Sequence, residues 1–90
     1  MFTLVQDGLT PLAMGHMWSL EATVEAFLAE TPQPVRFDEM TAELLSEDAD
    51  WSDLPRRPTT LEIMAACCAI ERRRSLRFDF IEGLMHVARS

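Results

Sequence analysis

The strongest constraint in this chain is a capped helix that is apolar nearly all round. Thr59 and Glu62 have capping-box spacing, in which the hydroxyl accepts from the third helical amide and the carboxylate reaches back. Pro58 stands just before the cap. From Leu61 to Ile70 the residues are almost continuously apolar, and a helix of that kind must be surrounded. Glu71-Arg72-Arg73-Arg74 returns it to water, with arginines at the negative end of the helix dipole. Ninety residues allow one domain, residues 1–90, so this helix must be its centre.

The flanking segments read as further helices. Ser19 caps a helix in which Leu20, Val24, Phe27 and Leu28 recur at helical spacing. An earlier start at Thr10-Pro11 is opposed by Gly15. Pro32 and Pro34 end this helix, since neither can donate a backbone hydrogen bond. Asp38 reads as the cap of a second helix carrying Met40, Leu44 and Leu45, to about Ser46. After the central helix, Ser75 can cap a fourth, with Phe80, Ile81, Leu84, Met85 and Ala88 on one face. Leu76-Arg77-Phe78-Asp79-Phe80 alternates strictly, which is a strand signal, but a strand needs a partner and residues 81–89 read as helical. The expectation is helix throughout. The predicted fold is therefore all-α, a small bundle of three to four helices. A short N-terminal arm precedes it, in which residues 1–5 could form a minor strand before a turn at Gln6-Asp7-Gly8.

Composition narrows the chemistry. The chain has no Lys, Asn or Tyr, and all eight basic residues are Arg, the signature of a GC-rich, bacterial or phage genome. Lysine Schiff bases and tyrosine acids are thereby absent. The longest apolar run, ending at Ile70, is far too short for a membrane span, and no secretory leader is expected. Net charge is −7, which disfavours direct binding of nucleic acid. The charge is polarised: residues 1–55 carry −10 and residues 56–90 carry +3.

No catalytic, metal or cofactor constellation stands out, and a non-enzymatic protein is expected. Cys67 and Cys68 are adjacent, so on a helix they diverge by about 100° and chelate one metal poorly. With Ala65, Ala66, Ala69 and Ile70 around them they read as buried thiols in a reducing cytoplasm. A thiol or metal-dependent enzyme drawing on them and on His16 and His86 is a third reading. Arg72, Arg73, Arg74 and Arg77 form the basic cluster. The runner-up function, a small DNA-binding regulator, would use them on a helix-turn-helix. Against it, the next segment has few base-reading polar groups, and the cluster can instead pair with the acidic half.

The leading reading rests on seven carboxylates with no base among them: Asp38, Glu39, Glu43, Glu47, Asp48, Asp50 and Asp53. Such a run attracts a basic partner protein, including one that itself binds nucleic acid. Trp51 and Leu54 within it are the expected apolar anchors. Met14, Met17, Trp18 and Leu20 form a second apolar cluster, and the surplus of Met, Trp and Phe in so short a chain predicts a homodimer. In type, though in no motif, the chain is similar to phage inhibitors of host machinery, toxin-immunity proteins and small secretion chaperones. The expected function is to inhibit, sequester or chaperone a partner.

Overall fold

Pro32 and Pro34 interrupt the chain as expected, yet the next element is a short strand that builds a sheet with the C-terminal residues. The computed structural model describes residues 11–90. The arm or strand expected over residues 1–5, the turn at residues 6–8 and the cap at Thr10 lie outside them. The elements run α1 (Met14–Ala29), β1 (Val35–Arg36), α2 (Phe37–Leu44), α3 (Thr60–Arg72), β2 (Leu76–Ile81) and β3 (Leu84–Arg89). The sheet is antiparallel in the order β1-β3-β2.

The central helix starts at the expected cap, but it buries one face rather than being surrounded. Leu61 is 76% exposed and Ala65 is exposed too, because α1, α2 and the sheet pack on the side that carries Ile63, Ala66, Cys67 and Ile70. Thr59 Oγ1 accepts from the Glu62 amide at 3.1 Å, and the Glu62 carboxylate accepts from the Thr59 amide at 2.9 Å. Ile63, Ala66, Cys67 and Ile70 are fully buried against Leu20, Val24 and Leu28 of α1 and Met40 and Leu44 of α2. Leu76 and Val87 close this core from the sheet side. The helix ends in a Schellman motif: Ser75 N–H donates to Ile70 O at 3.2 Å and Arg74 N–H to Glu71 O at 2.9 Å. Arg74 occupies the left-handed position that glycine usually fills, with φ of 64°.

The fold is mixed α/β, and the all-α bundle is overturned by its last fifteen residues. Residues 76–81 are a strand and residues 84–89 its partner, where a fourth helix was expected. The cause is the turn. Glu82 and Gly83 both adopt positive φ, 55° and 80°, which is the two-residue hairpin geometry whose twist matches antiparallel strands. Ile81 then pairs with Leu84, Phe78 with Val87 and Leu76 with Arg89. The partner that the alternating segment needs thus lies immediately after it, and β1 adds Val35 opposite Val87 from fifty residues away. The apparent helical face from Phe80 to Ala88 is a coincidence of short spacings.

Two helix starts also differ from expectation. Helix α1 begins at Met14 after an extended Ala13, so Ser19 lies in its interior. Gly15, in the first turn, does not prevent this. Helix α2 begins at Phe37, and the Asp38 carboxylate is bound by Arg36 rather than capping the helix.

Candidate partner-binding surface

Helix α2 buries Met40, Thr41 and Leu44 and turns Asp38, Glu39, Ala42 and Glu43 outward. These residues begin the acidic run, which continues through the long connection from α2 to α3. That connection is held down at several points. Arg57 Nη2 donates to the carbonyl oxygens of Leu45 and Ser46, at 2.5 and 2.9 Å, just past the C-terminal end of α2. Arg56 forms a bidentate pair with Glu62, at 2.8 and 2.7 Å, which fastens the loop to the capping box. The Arg56 guanidinium, with the Thr59 amide, holds the Glu62 carboxyl below the usual carboxylate range despite its partial burial.

The carboxylates divide by what they touch. Asp38 is engaged by Arg36 at 2.6 and 3.0 Å, which lowers its pKa. Asp50 accepts from the Ser52 amide at 2.9 Å, which lowers it likewise. Glu39 lies 3.9 Å from Arg36. Glu43, Glu47, Asp48 and Asp53 are exposed and form no ion pair among the described residues.

The two expected anchors turn inward. Leu54 is 7% exposed. Trp51 packs against the core and its indole N–H donates to Leu44 O at 2.9 Å. They tie the acidic loop to the domain instead of projecting from it.

An apolar foothold exists beside them. The end of α1, β1 and the outer side of α2 enclose an open groove of about 570 Å³. Phe27, Thr31, Val35 and Ala42 line it, and Glu39 and Glu43 stand one helical turn apart along it. Thr31 is turned so that its hydroxyl donates to Phe27 O at 2.7 Å, which engages its polar group with the backbone. Sequence reasoning missed Phe27, Thr31, Val35 and Ala42 because Pro32 and Pro34 separate them into apparently unrelated segments.

The basic cluster is partly committed within the fold. Arg73 donates to Glu21 at 2.7 Å and lies 3.5 Å from Glu25, joining α3 to α1. Arg77 pairs with Asp79 at 3.0 Å and donates to Arg89 O. Arg72 and Arg74 are exposed, have no ion pair among the described residues, and border a shallow depression with Arg77 and Ser90. The expected turn of a helix-turn-helix is absent between α3 and the C-terminus, since a hairpin follows α3.

Of the two cysteines expected to be buried, Cys67 is, whereas Cys68, one position on around the helix, is only half-buried. Burial pushes the Cys67 thiol up to about 12, so it carries no thiolate at neutral pH. Among the described residues, no three or more His, Cys, Asp or Glu side chains converge as metal ligands, and no helix is long and apolar enough to cross a membrane. In the second apolar cluster, Leu20 is buried and Met17 packs on the core, while Met14 and Trp18 are 69% and 63% exposed.

No protein-family model, curated protein or solved structure matches the chain.

Proposed function

We propose that this protein is a non-enzymatic binding module that inhibits, sequesters or chaperones a basic partner protein in the cytoplasm. The observation that carries this reading is the groove between α1 and α2, whose apolar lining is bordered by Glu39 and Glu43. Its occupant is a partner segment with an apolar side chain flanked by Arg or Lys. Apolar contact supplies affinity, and the carboxylates supply rate and selectivity. Glu47, Asp48 and Asp53 extend the negative surface along the chain without cations of their own among the described residues. The anchor in this reading is the groove rather than Trp51 and Leu54. A partner that itself binds nucleic acid has the required charge. The DNA-binding alternative has less support, because Arg73 and Arg77 are committed to internal carboxylates.

Selection of a random peptide display library against the immobilised protein tests this. The expected outcome is enrichment of segments with an apolar residue between basic ones, whose binding weakens with salt and is lost on the Glu39→Arg, Glu43→Arg double variant. Enrichment of neutral or acidic sequences, or binding indifferent to that variant, would refute the reading.

A further inference from the structure

The strand β2 lies at one edge of the sheet, paired only with β3 among the described residues. Edge strands are open templates for another strand, and proteins ordinarily block them with charge, bulges or cover. Here the charges are arranged in a way that does not block a copy of the same strand.

The backbone direction follows from the hairpin. Ile81 and Leu84 close a two-residue turn, so they exchange hydrogen bonds, as do the pairs Asp79–His86 and Arg77–Ala88. The intervening residues Leu76, Phe78 and Phe80 therefore aim their N–H and C=O groups away from β3, toward the open edge. Their side chains share the core-facing side of the sheet. Leu76 is buried and Phe78 packs on the core, but Phe80, beyond the helices, is 72% exposed. Arg77 and Asp79 point to the opposite side.

We propose that β2 pairs antiparallel with β2 of a second copy of this chain, about a two-fold axis at Phe78. The segment Leu76-Arg77-Phe78-Asp79-Phe80 is its own complement in that register. Phe78 faces the partner's Phe78, and Leu76 faces the partner's Phe80. These are the residues whose edge groups have no partner among the described residues, so each pair exchanges two backbone hydrogen bonds, about six in all. Arg77 faces the partner's Asp79, and Asp79 the partner's Arg77. Both fall at non-hydrogen-bonded positions, where opposing side chains are closest. The Arg77–Asp79 ion pair within each strand, 3.0 Å long, is exchanged for one across the axis, so the two copies hold two before and two after pairing. A shift of one residue sets unlike faces together, and a shift of two places Arg77 opposite the partner's Arg77 or Asp79 opposite the partner's Asp79, so the register is defined. The contact is isologous and closes at two copies. It draws on charge complementarity that the acidic surface lacks, and does not depend on the groove reading.

Sedimentation equilibrium from micromolar to millimolar concentration tests the proposal, with folding of each variant checked by circular dichroism. The unmodified chain is expected to dimerise, with slower amide exchange at Leu76, Phe78 and Phe80 as concentration rises. Arg77→Asp alone and Asp79→Arg alone each place like charges opposite and should weaken the dimer at least about tenfold. An equimolar mixture of the two variants restores both ion pairs and should dimerise, as should the chain carrying both changes. A chain that stays monomeric at millimolar concentration overturns the proposal. So does a dimer indifferent to both reversals, which would instead use another face such as that bearing Met14 and Trp18. Failure of both the mixture and the double variant to recover, with all variants folded, overturns the register and the proposal with it.

Discussion

The indole N–H of Trp51 donates to the carbonyl oxygen of Leu44 across 2.9 Å. That carbonyl lies in the last turn of α2, where the helix leaves its own acceptors unpaired. One side chain thus satisfies the helix end, covers the core and pins the acidic loop. Trp51→Ala is expected to destabilise the fold by about 2 kcal/mol, below the usual cost for a fully buried Trp because this one is half-buried. Trp51→Phe retains much of the packing and should cost about 1 kcal/mol, the worth of the lost hydrogen bond. Urea denaturation followed by circular dichroism measures both. An unchanged midpoint in Trp51→Ala would mean that the loop is not anchored by this contact.

At the start of α3, Thr59→Ala should lower stability by about 1 kcal/mol. Glu62 adds a pH dependence. Its folded-state pKa is depressed below the ordinary 4.5 by Arg56 and the Thr59 amide. The stabilisation is therefore complete above that value and is lost as pH falls through the lower, folded-state one. Glu62→Gln should cost about 1 kcal/mol at neutral pH and nothing at acid pH, where the native side chain is itself protonated. Parallel denaturation curves for the two proteins at every pH would contradict this.

Cys67 should resist alkylation in the native state, because its thiol is fully buried and its pKa is raised to about 12. Cys68, half-buried on the same helix, should be modified first. Mass spectrometry of iodoacetamide-treated protein distinguishes the two sites, and Cys67 should label only as denaturant unfolds the chain. Cys67→Asp places an unpaired charge among Ile63, Ala66 and Ile70 and should cost more than about 3 kcal/mol.

Two left-handed backbone positions make opposite predictions. Arg74, at φ of 64°, holds a conformation that glycine adopts freely, so Arg74→Gly should raise stability by roughly 0.5 kcal/mol. Gly83, at φ of 80°, already has the suited residue, and Gly83→Val should lower stability by about 1–2 kcal/mol. Thermal melting should move up in the first variant and down in the second.

The groove is only half legible in the sequence. Glu39 and Glu43 can be placed on one face from their spacing alone, as can the net negative field around them. Phe27, Thr31, Val35 and Ala42 cannot, because three elements contribute them and only the return of the chain after Pro34 brings them together. Trp51 and Leu54 invite the opposite error. An apolar residue within an acidic loop looks the same in sequence whether it faces a partner or its own core. The answer depends on the Leu44 carbonyl, a backbone group that composition cannot register.

The sequence by itself determined the cap and the basic end of the central helix, which result from residues that interact within one or two turns; which face it buries was decided by the packing of the other elements, which leaves the apolar Leu61 exposed. It also determined the break after α1, since proline acts locally, and the charge division between the two halves. Only the tertiary structure decided the fold class. Leu76 to Arg89 carries signals for both helix and strand over stretches too short to separate the periods, and the positive-φ turn at Glu82-Gly83 resolved them in favour of a hairpin. That hairpin then gains a third strand from Val35 and Arg36. Such a pairing spans fifty residues, and no local pattern can specify it, because it is stabilised by the core that Val87 shares with three helices.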